Sequence, residues 1–299
     1  MDKTVALQRS RLKKQKGVET IFHTVLLIFG LFSIAFVLFI SIFLVISGVP
    51  AITKIGLFKF MFGTKWASTA ANPSFGILPF ILTSVYGTCG ALIVSIPVGI
   101  LCATYLAKMA PGPVAAVVRE AVDLLAGIPS VVYGLFGMII IVPGVRKLFH
   151  LPDGANLFSA TIVLAIMVLP SIISESETAL RAVPKEYEEG SLALGATYTE
   201  TIFKVTLPAA RSGVLTSVIL GTGRAIGEAM AVMMVAGNVA NMPGIFRSVR
   251  FLTTAVASEM SYSSGLQRQA LFSIALVLFF FIILINVVLR KLTSKGEVK

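Results

Sequence analysis

Charged residues are scarce in this chain of 299 residues. Asp, Glu, Lys and Arg together make up 13% of it, whereas apolar residues make up 56%. A soluble domain carries about 25% charged residues, so the sequence predicts an integral membrane protein. The 25 Lys and Arg residues outnumber the 14 acidic ones, but they gather at the ends of apolar runs instead of along one polar face. This pattern indicates membrane topology and argues against a nucleic-acid partner.

Side chains that form disulfides or bind metals are also few. Cys89 and Cys102 lie in one apolar run, and on a helix they would be roughly 20 Å apart, too far for a disulfide. His23 and His150 have no acidic or cysteine cluster beside them, which excludes a zinc site and imidazole catalysis. The ATP-binding motif G-x-x-x-x-G-K-S/T is missing from the sequence. We expect neither a catalytic activity nor a cofactor.

Long apolar runs are what the sequence does contain. About 20 apolar residues are enough for a helix to cross the hydrocarbon layer. The chain supplies about six such runs, and the fourth can be extended to Leu180. The predicted spans are residues 21–46, 77–106, 121–142, 157–173, 212–236 and 270–289. The expected fold class is therefore all-α, a polytopic bundle of about six transmembrane helices.

The basic residues also predict an orientation. An even number of spans puts both termini on one side of the membrane. If that side is the cytoplasm, sixteen Lys and Arg residues lie on inner segments, against eight on outer ones. Arg224 belongs to neither group and is the only cation deep inside a predicted span. The expected division is a cytoplasmic N-terminus (1–20), a first transmembrane helix (21–48), an extracytoplasmic loop (49–76), a five-helix core (77–290) and a cytoplasmic tail (291–299).

The inner loop at about residues 182–211 has more helical pattern than a plain linker. Leu192, Leu194, Ile202 and Phe203 give it apolar faces, and its glycines allow turns between short helices. Such a segment is suited to binding a soluble partner. The alternative is an interfacial helix that lies on the lipid surface.

The spacing within this loop resembles that of the binding-protein-dependent ABC importer permeases. In that family the loop reads E-A-A, three residues, G, nine residues, I-x-L-P. EGS stands here in place of EAA, and valine stands in place of isoleucine. The matching residues are Glu189, Gly190, Ser191, Gly195, Val205, Leu207 and Pro208. The resemblance implies the type I importer permease fold and a coupling loop that docks on a separate ATPase subunit.

Other strings resemble the phosphate branch of these permeases: GIPSVVYG in the third span, LP at Leu169 and Pro170, and GRAIGEAMAVMMVAGN in the fifth span. Within that branch, SFGILPFILTS at the entry to the second span, GEAMAV, and the outer stretch from ASEM to SGL resemble the C-type subunit more than its A-type companion. The resemblance implies one half of a heterodimeric channel for inorganic phosphate in a bacterial or archaeal cytoplasmic membrane. It also implies an A-type permease, two copies of a cytoplasmic ATPase and an extracytoplasmic phosphate-binding protein as partners.

Arg224 and Glu228 are the charged residues that most need an explanation. A charge near the centre of a span costs about 2.5–3.5 kcal/mol on insertion scales. On one predicted helix the two residues share a face and can form an ion pair, which is the purely structural alternative. The functional hypothesis is that Arg224 faces the translocation pathway and binds phosphate oxygens. Glu228 would then hold Arg224 in place and weaken its field, so that the anion can leave.

Other polar residues near the predicted spans are assigned supporting roles. Ser130 and Tyr133 flank a predicted break at Pro129 and would present hydroxyls to the anion, or else bond between helices. Asp123 is expected to gate the inner mouth more than to contact substrate. Glu175 and Glu177 are expected at the cytoplasmic exit or against basic residues such as Arg181.

Two other functions stay open at the level of the sequence. One is a permease of the same architecture for another oxyanion, such as sulfate or molybdate. The other is a membrane sensor or scaffold that does not move its ligand and has less need of a buried Arg224.

Overall fold

The computed structural model describes the backbone of residues 2–294, together with the side chains of Glu19, residues 22–289 and Lys291. Most side chains of the predicted N-terminal segment, and residues 295–299 of the predicted tail, lie outside the described residues. Within the described part, five helices are long and apolar enough to cross a membrane, or six if one bent pair is counted as a span. The expected all-α polytopic bundle of about six spans is confirmed.

The first helix, α1 (Asp2–Ile55), continues beyond the predicted span and through Pro50. Most of its side chains from residue 22 to 46 are exposed, as expected for a helix that faces lipid. Its C-terminal end packs on the last helix, where the Ser273 hydroxyl donates to the Gly48 carbonyl at 2.5 Å. The predicted outer loop 49–76 therefore begins as helix.

The rest of the outer loop is a short helix and a small hairpin. Gly56 has a φ of +90° and separates α1 from α2 (Leu57–Phe62). Strands β1 (Trp66–Ala67) and β2 (Ser74–Phe75) then pair antiparallel. The Trp66 ring packs 5.5 Å from the rings of Phe75 and Phe80, so it belongs to a packed cluster of the outer loop.

Helices α3 (Leu78–Thr104) and α7 (Leu157–Arg181) form the centre of the bundle. Small residues on α3 let the two helices approach closely. A side chain at Gly90 would meet Thr161, and one at Gly99 would meet Ile172. A π-helical turn, Tyr105–Met109, extends α3 at its C-terminal end. Helix α7 passes the predicted limit at residue 173, in agreement with the extension to Leu180.

The predicted span 121–142 is wrong in its limits. Helix α4 (Gly112–Gly127) ends before Ile128 and Pro129, neither of which is helical. Proline has no amide hydrogen and disfavours a helical residue before it, so the helix stops there. The apolar helix that follows runs over residues 130–148. It consists of α5 (Ser130–Phe136), a π-helical turn (Gly137–Ile141) and α6 (Val142–Leu148).

The inner loop contains short helices, as its periodicity predicts. They are α8 (Lys185–Ala193), α9 (Tyr198–Thr201), a π-helical turn (Ile202–Thr206) and α10 (Leu207–Ala209). The chain then bends by 68° into α11 (Arg211–Gly227).

The predicted fifth span, 212–236, is interrupted. Helix α11 ends at Gly227, and α12 (Met230–Val235) begins after the extended residue Glu228. A non-helical segment then leads to α13 (Leu252–Glu259), a 3-10 turn (Met260–Tyr262) and α14 (Gly265–Ser294). The last helix is therefore longer than the predicted span 270–289.

Candidate translocation and coupling sites

Two helix breaks lie close to one another in the bundle. The first separates α4 from α5 at Ile128 and Pro129, and the second separates α11 from α12 at Glu228. The segments that follow the breaks, α5 and α12, pack together, and a side chain at Gly134 would meet the backbone of Ala231. Broken helices at membrane depth require partners for the freed backbone groups, so the residues around both breaks carry polar contacts.

Tyr133 provides such a contact at the first break. Its ring is buried, and its hydroxyl donates at 2.7 Å to the carbonyl of Leu125 in the last turn of α4. Ser130 is half-buried at the first position of α5. The hydroxyl of Tyr133 thus joins the two sides of the break.

Arg224 lies in the last turn of α11 and is half-buried. Its Nη1 donates to the hydroxyl of Ser171 on α7 at 2.9 Å. This partner follows Pro170 inside a helix and was not predicted. A serine in an apolar run gives only a weak signal in the sequence, because nothing local reveals which cation it will meet.

The expectation that Arg224 and Glu228 share a face of one helix is wrong. Because α11 ends at Gly227, Glu228 is extended, and no ion pair joins the two residues in the described part of the chain. The Glu228 carboxylate accepts from the amide of Ala231 at 2.9 Å, and its carbonyl accepts from the Thr253 hydroxyl at 2.7 Å. Glu228 therefore provides a hydrogen-bond acceptor for the free Ala231 amide at the second break and links the break to α13 through Thr253.

A second polar cluster lies where α4 faces the C-terminal part of α7. The buried Glu177 accepts from Arg119 Nη2 and from Arg181 Nε, each at 2.8 Å. The predicted contact between Glu177 and Arg181 is thus confirmed. Asp123 is exposed at the edge of this cluster, where it accepts from Ser174 at 3.5 Å. These residues line a cavity of about 420 Å³.

The predicted coupling residues surround the turn between α8 and α9. Glu189 and Gly190 are exposed, whereas the Ser191 hydroxyl bonds to that of Thr201 at 2.9 Å. Gly195 has a φ of +88°, which strongly favours glycine at the end of this helical turn. The return segment of the loop, residues 202–209, carries the other three. Val205 and Leu207 are half-buried there, and Pro208 is exposed.

The turn also carries exposed apolar side chains. Leu194 is 91% exposed at its tip, and Tyr187, Leu192 and Phe203 are exposed nearby. The capping box of Thr197 and Glu200 fixes the start of α9. A rigid turn with uncovered apolar residues has the form of a docking surface. Among the described residues no group of three potential metal ligands occurs.

Residues 95–295 match the family described as binding-protein-dependent transport system inner membrane component. The chain belongs to this family. The match includes both helix breaks, Arg224 and the whole inner loop. The family membership that the spacing of the loop predicts is therefore confirmed. The permease is a transporter subunit and not a catalytic enzyme.

Curated relatives of the permease cover almost all of the chain. A probable ABC transporter permease protein, YqgH of Bacillus subtilis, is 37% identical over 264 residues, which are 87% of this chain and 85% of that protein. The phosphate transport system permease protein PstC of Haemophilus influenzae is 31% identical over 303 residues, which are 95% of each chain. The predicted resemblance to the C-type phosphate permeases is thereby confirmed.

Solved importers share the fold of the permease. A chain of the inward-facing MetNI methionine ABC transporter has a TM-score of 0.56 and 19% identity, covering 75% of this chain and 95% of that one. A bacterial ABC transporter involved in the import of alginate has a TM-score of 0.58 and 12% identity, covering 83% and 94%. The type I importer permease fold is thus confirmed, and at these identities the likeness concerns the fold alone.

Proposed function

We propose that this permease forms one half of the translocation pathway of an ATP-driven phosphate importer. The observation that carries the proposal is its 30–31% identity to phosphate transport permeases named PstC over 94–95% of its length. A half-buried arginine between broken helices is consistent with an anionic substrate. The relatives that import methionine or alginate contribute only the fold to this proposal.

Arg224 is the residue that we propose to meet the anion. One guanidinium nitrogen is engaged by Ser171, which orients the group and leaves other donors of the fork to bind phosphate oxygens. The Ser130 hydroxyl lies on the segment that follows the first break and would offer a further polar contact on the pathway, whereas the Tyr133 hydroxyl donates to Leu125 and holds the break together. Glu228 fits a positioning role, because its contacts hold the break next to Arg224 without neutralising the arginine.

The inner loop is proposed to couple transport to ATP hydrolysis. Its exposed turn, with Glu189, Gly190 and Leu194, would dock on one of two copies of a cytoplasmic ATPase. An A-type permease would complete the channel, and an extracytoplasmic protein would deliver phosphate. In this arrangement both termini and the inner loop lie in the cytoplasm, as the distribution of basic residues predicts. The cluster of Asp123, Glu177 and two arginines would then lie at the inner mouth, where it suits a gate.

Uptake of labelled phosphate tests this proposal. We expect membrane vesicles that contain the permease with its cognate partners to take up phosphate only with ATP, and excess sulfate or molybdate not to compete. The matched control is the same vesicle with an ATPase subunit that binds but does not hydrolyse ATP. Strong competition by either anion would assign the site to that oxyanion. No flux from a correctly assembled complex would instead favour a sensor or scaffold.

A further inference from the structure

The inner loop is joined to the end of α3 by an ion pair that is shielded from solvent. Lys108 Nζ lies 2.5 Å from Glu188 Oε1, and the two side chains are only 11% and 16% exposed. Lys108 belongs to the π-helical turn that extends α3, and Glu188 lies in the middle of α8. Removing one member of such a shielded pair leaves an uncompensated charge, so the contact holds the two elements together more firmly than a surface pair does.

The same turn holds the loop at a second point. The backbone carbonyl of Lys108 accepts from the Tyr198 hydroxyl at 2.5 Å, which ties α9 to it. The Glu188 carboxylate also accepts from Thr206 at 3.4 Å, on the return segment of the loop. Lys108 thus contacts α8 through its side chain and α9 through its backbone, on the side of the loop that faces the bundle.

Another ion pair in the loop differs in its surroundings. Lys204 and Glu200 are 3.2 Å apart, but they are 74% and 47% exposed and lie four residues apart on one segment. Solvent screens a pair of this kind, and it joins no separate elements. This pair serves as a control for the Lys108–Glu188 pair, because it joins the same two residue types but makes no contact with α3.

The end of α3 is in turn packed into the bundle. Leu106, in the same π-helical turn as Lys108, is buried with Ala115 and Val122 of α4 and with Ile173 of α7. Cys102 packs against this cluster, one turn before the π-helical turn. Helix α7 carries Ser171, the partner of Arg224. Through these packed side chains, a displacement of α8 would therefore reach α7, the helix that contacts Arg224.

We propose that Lys108 and Glu188 are positioning residues that transmit movement of the docked inner loop to α3 and from there to the pathway. The inference rests on the proposed docking of an ATPase on this loop, but not on phosphate as the substrate. The exposed turn of the loop receives the motion, and the shielded ion pair on its other side makes α8, α9 and the end of α3 move as one body.

The thiol of Cys102 gives a readout that does not depend on the substrate. In the assembled transporter, the rate of maleimide labelling of Cys102 is measured by mass spectrometry with and without ATP and vanadate, which trap the ATPase. We expect the trap to change this rate in the wild type by at least about fivefold, a typical size for coupling between sites. Glu188→Gln and Lys108→Met should abolish the change, whereas Lys204→Met should keep it. An unchanged response in Glu188→Gln would overturn the proposal, as would a wild type that does not respond.

A charge-exchanged variant covers the case in which single variants fail to assemble. Lys108→Glu combined with Glu188→Lys restores opposite charges at the same two positions, and we expect it to recover the Cys102 response. An assembled double variant without the response would overturn the proposal. Phosphate uptake is measured on the same preparations. A wild type whose Cys102 responds but which takes up no phosphate would remove the substrate assignment and leave the proposed coupling intact.

Discussion

At the scale of single residues, the permease holds a half-buried cation for which the described part of the chain provides no ion pair. Arg224 has Ser171 as its hydrogen-bond partner, while Glu228 uses its carboxylate on the Ala231 amide and its carbonyl on Thr253. An arginine that is oriented by a neutral hydroxyl keeps its full charge, whereas an arginine paired with a carboxylate loses much of its field. Such a site suits direct binding of an anion by the guanidinium group.

Replacing Arg224 should therefore reduce transport much more than stability. A hydrogen bond to a charged group contributes about 1.5–3 kcal/mol, so we expect Arg224→Gln to lower phosphate uptake at low substrate concentration by at least about 10-fold. The matched control is Arg268→Gln, which removes an exposed arginine at the start of α14. Wild-type uptake by an Arg224→Gln transporter that assembles normally would show that Arg224 lies off the pathway.

At the scale of structural elements, the inner loop is held by specific polar contacts and by a small apolar cluster in which Val183 and Ala210 pack with Ala103 of α3. The capping box starts α9, where Thr197 donates to the Glu200 carboxylate from its amide at 3.1 Å and from its hydroxyl at 2.9 Å. These bonds, with the nearby Lys204 charge, lower the pKa of Glu200 from 4.5 to about 2. Because this pKa is lowered by folding, the capping box contributes stability above about pH 4.5 and loses it as the pH falls toward 2.

The capping box can be tested by titrating one carboxyl group. Carbon NMR of a selectively labelled permease in nanodiscs should show Glu200 with a pKa of about 2 in the wild type. In Thr197→Val the pKa should move part of the way back toward 4.5, because valine lacks the hydroxyl but keeps the backbone amide, which is the largest cause of the lowered pKa. Lys204→Met should also raise it, because the hydrogen bond and the charge of Lys204 both lower this pKa. A Glu200 that titrates identically in the wild type and Thr197→Val would contradict the role of Thr197.

At the scale of the whole molecule, α1 differs from the helices that follow it. Most of its side chains from residue 22 to 46 are exposed, and it contacts the bundle mainly through α14 at its C-terminal end. Helix α7, in contrast, is the most buried of the candidate spans, and α3 packs along it. The family match begins at residue 95, within α3, so it leaves out α1. Helix α1 is thus an addition at the rim of a core centred on α3 and α7.

The orientation of the whole molecule is open to a direct test. Single cysteines are introduced at Leu194 in the inner loop and at Thr69 in the outer hairpin, both of which are exposed positions. A membrane-impermeant maleimide added to intact cells should label the cysteine at position 69, and that at position 194 should react only after the membrane is opened. The parent with its native cysteines replaced by serine serves as the control. Labelling of position 194 in intact cells would reverse the proposed orientation.

The sequence by itself determined the properties that depend on local composition and spacing. Apolar length predicts the number of spans, because crossing the hydrocarbon layer requires about 20 apolar residues whatever surrounds them. The spacing from Glu189 to Pro208 identifies the family, and Pro129 predicts a break near its own position. The loop periodicity likewise predicts the short helices that follow Pro184.

Only the tertiary structure decided which side chains meet. The residues around Gly227 do not predict the break that follows it. Glu228 is extended there because its carboxylate accepts from the Ala231 amide and its carbonyl accepts from the Thr253 hydroxyl. Arg224 meets Ser171, and Lys108 meets Glu188, across long stretches of chain. Such pairs depend on how helices rotate and approach one another in the packed bundle, and that arrangement is fixed by small residues such as Gly99 against Ile172. Periodicity along one helix carries no information on its neighbour, so the partners of the charged residues are a property of the fold.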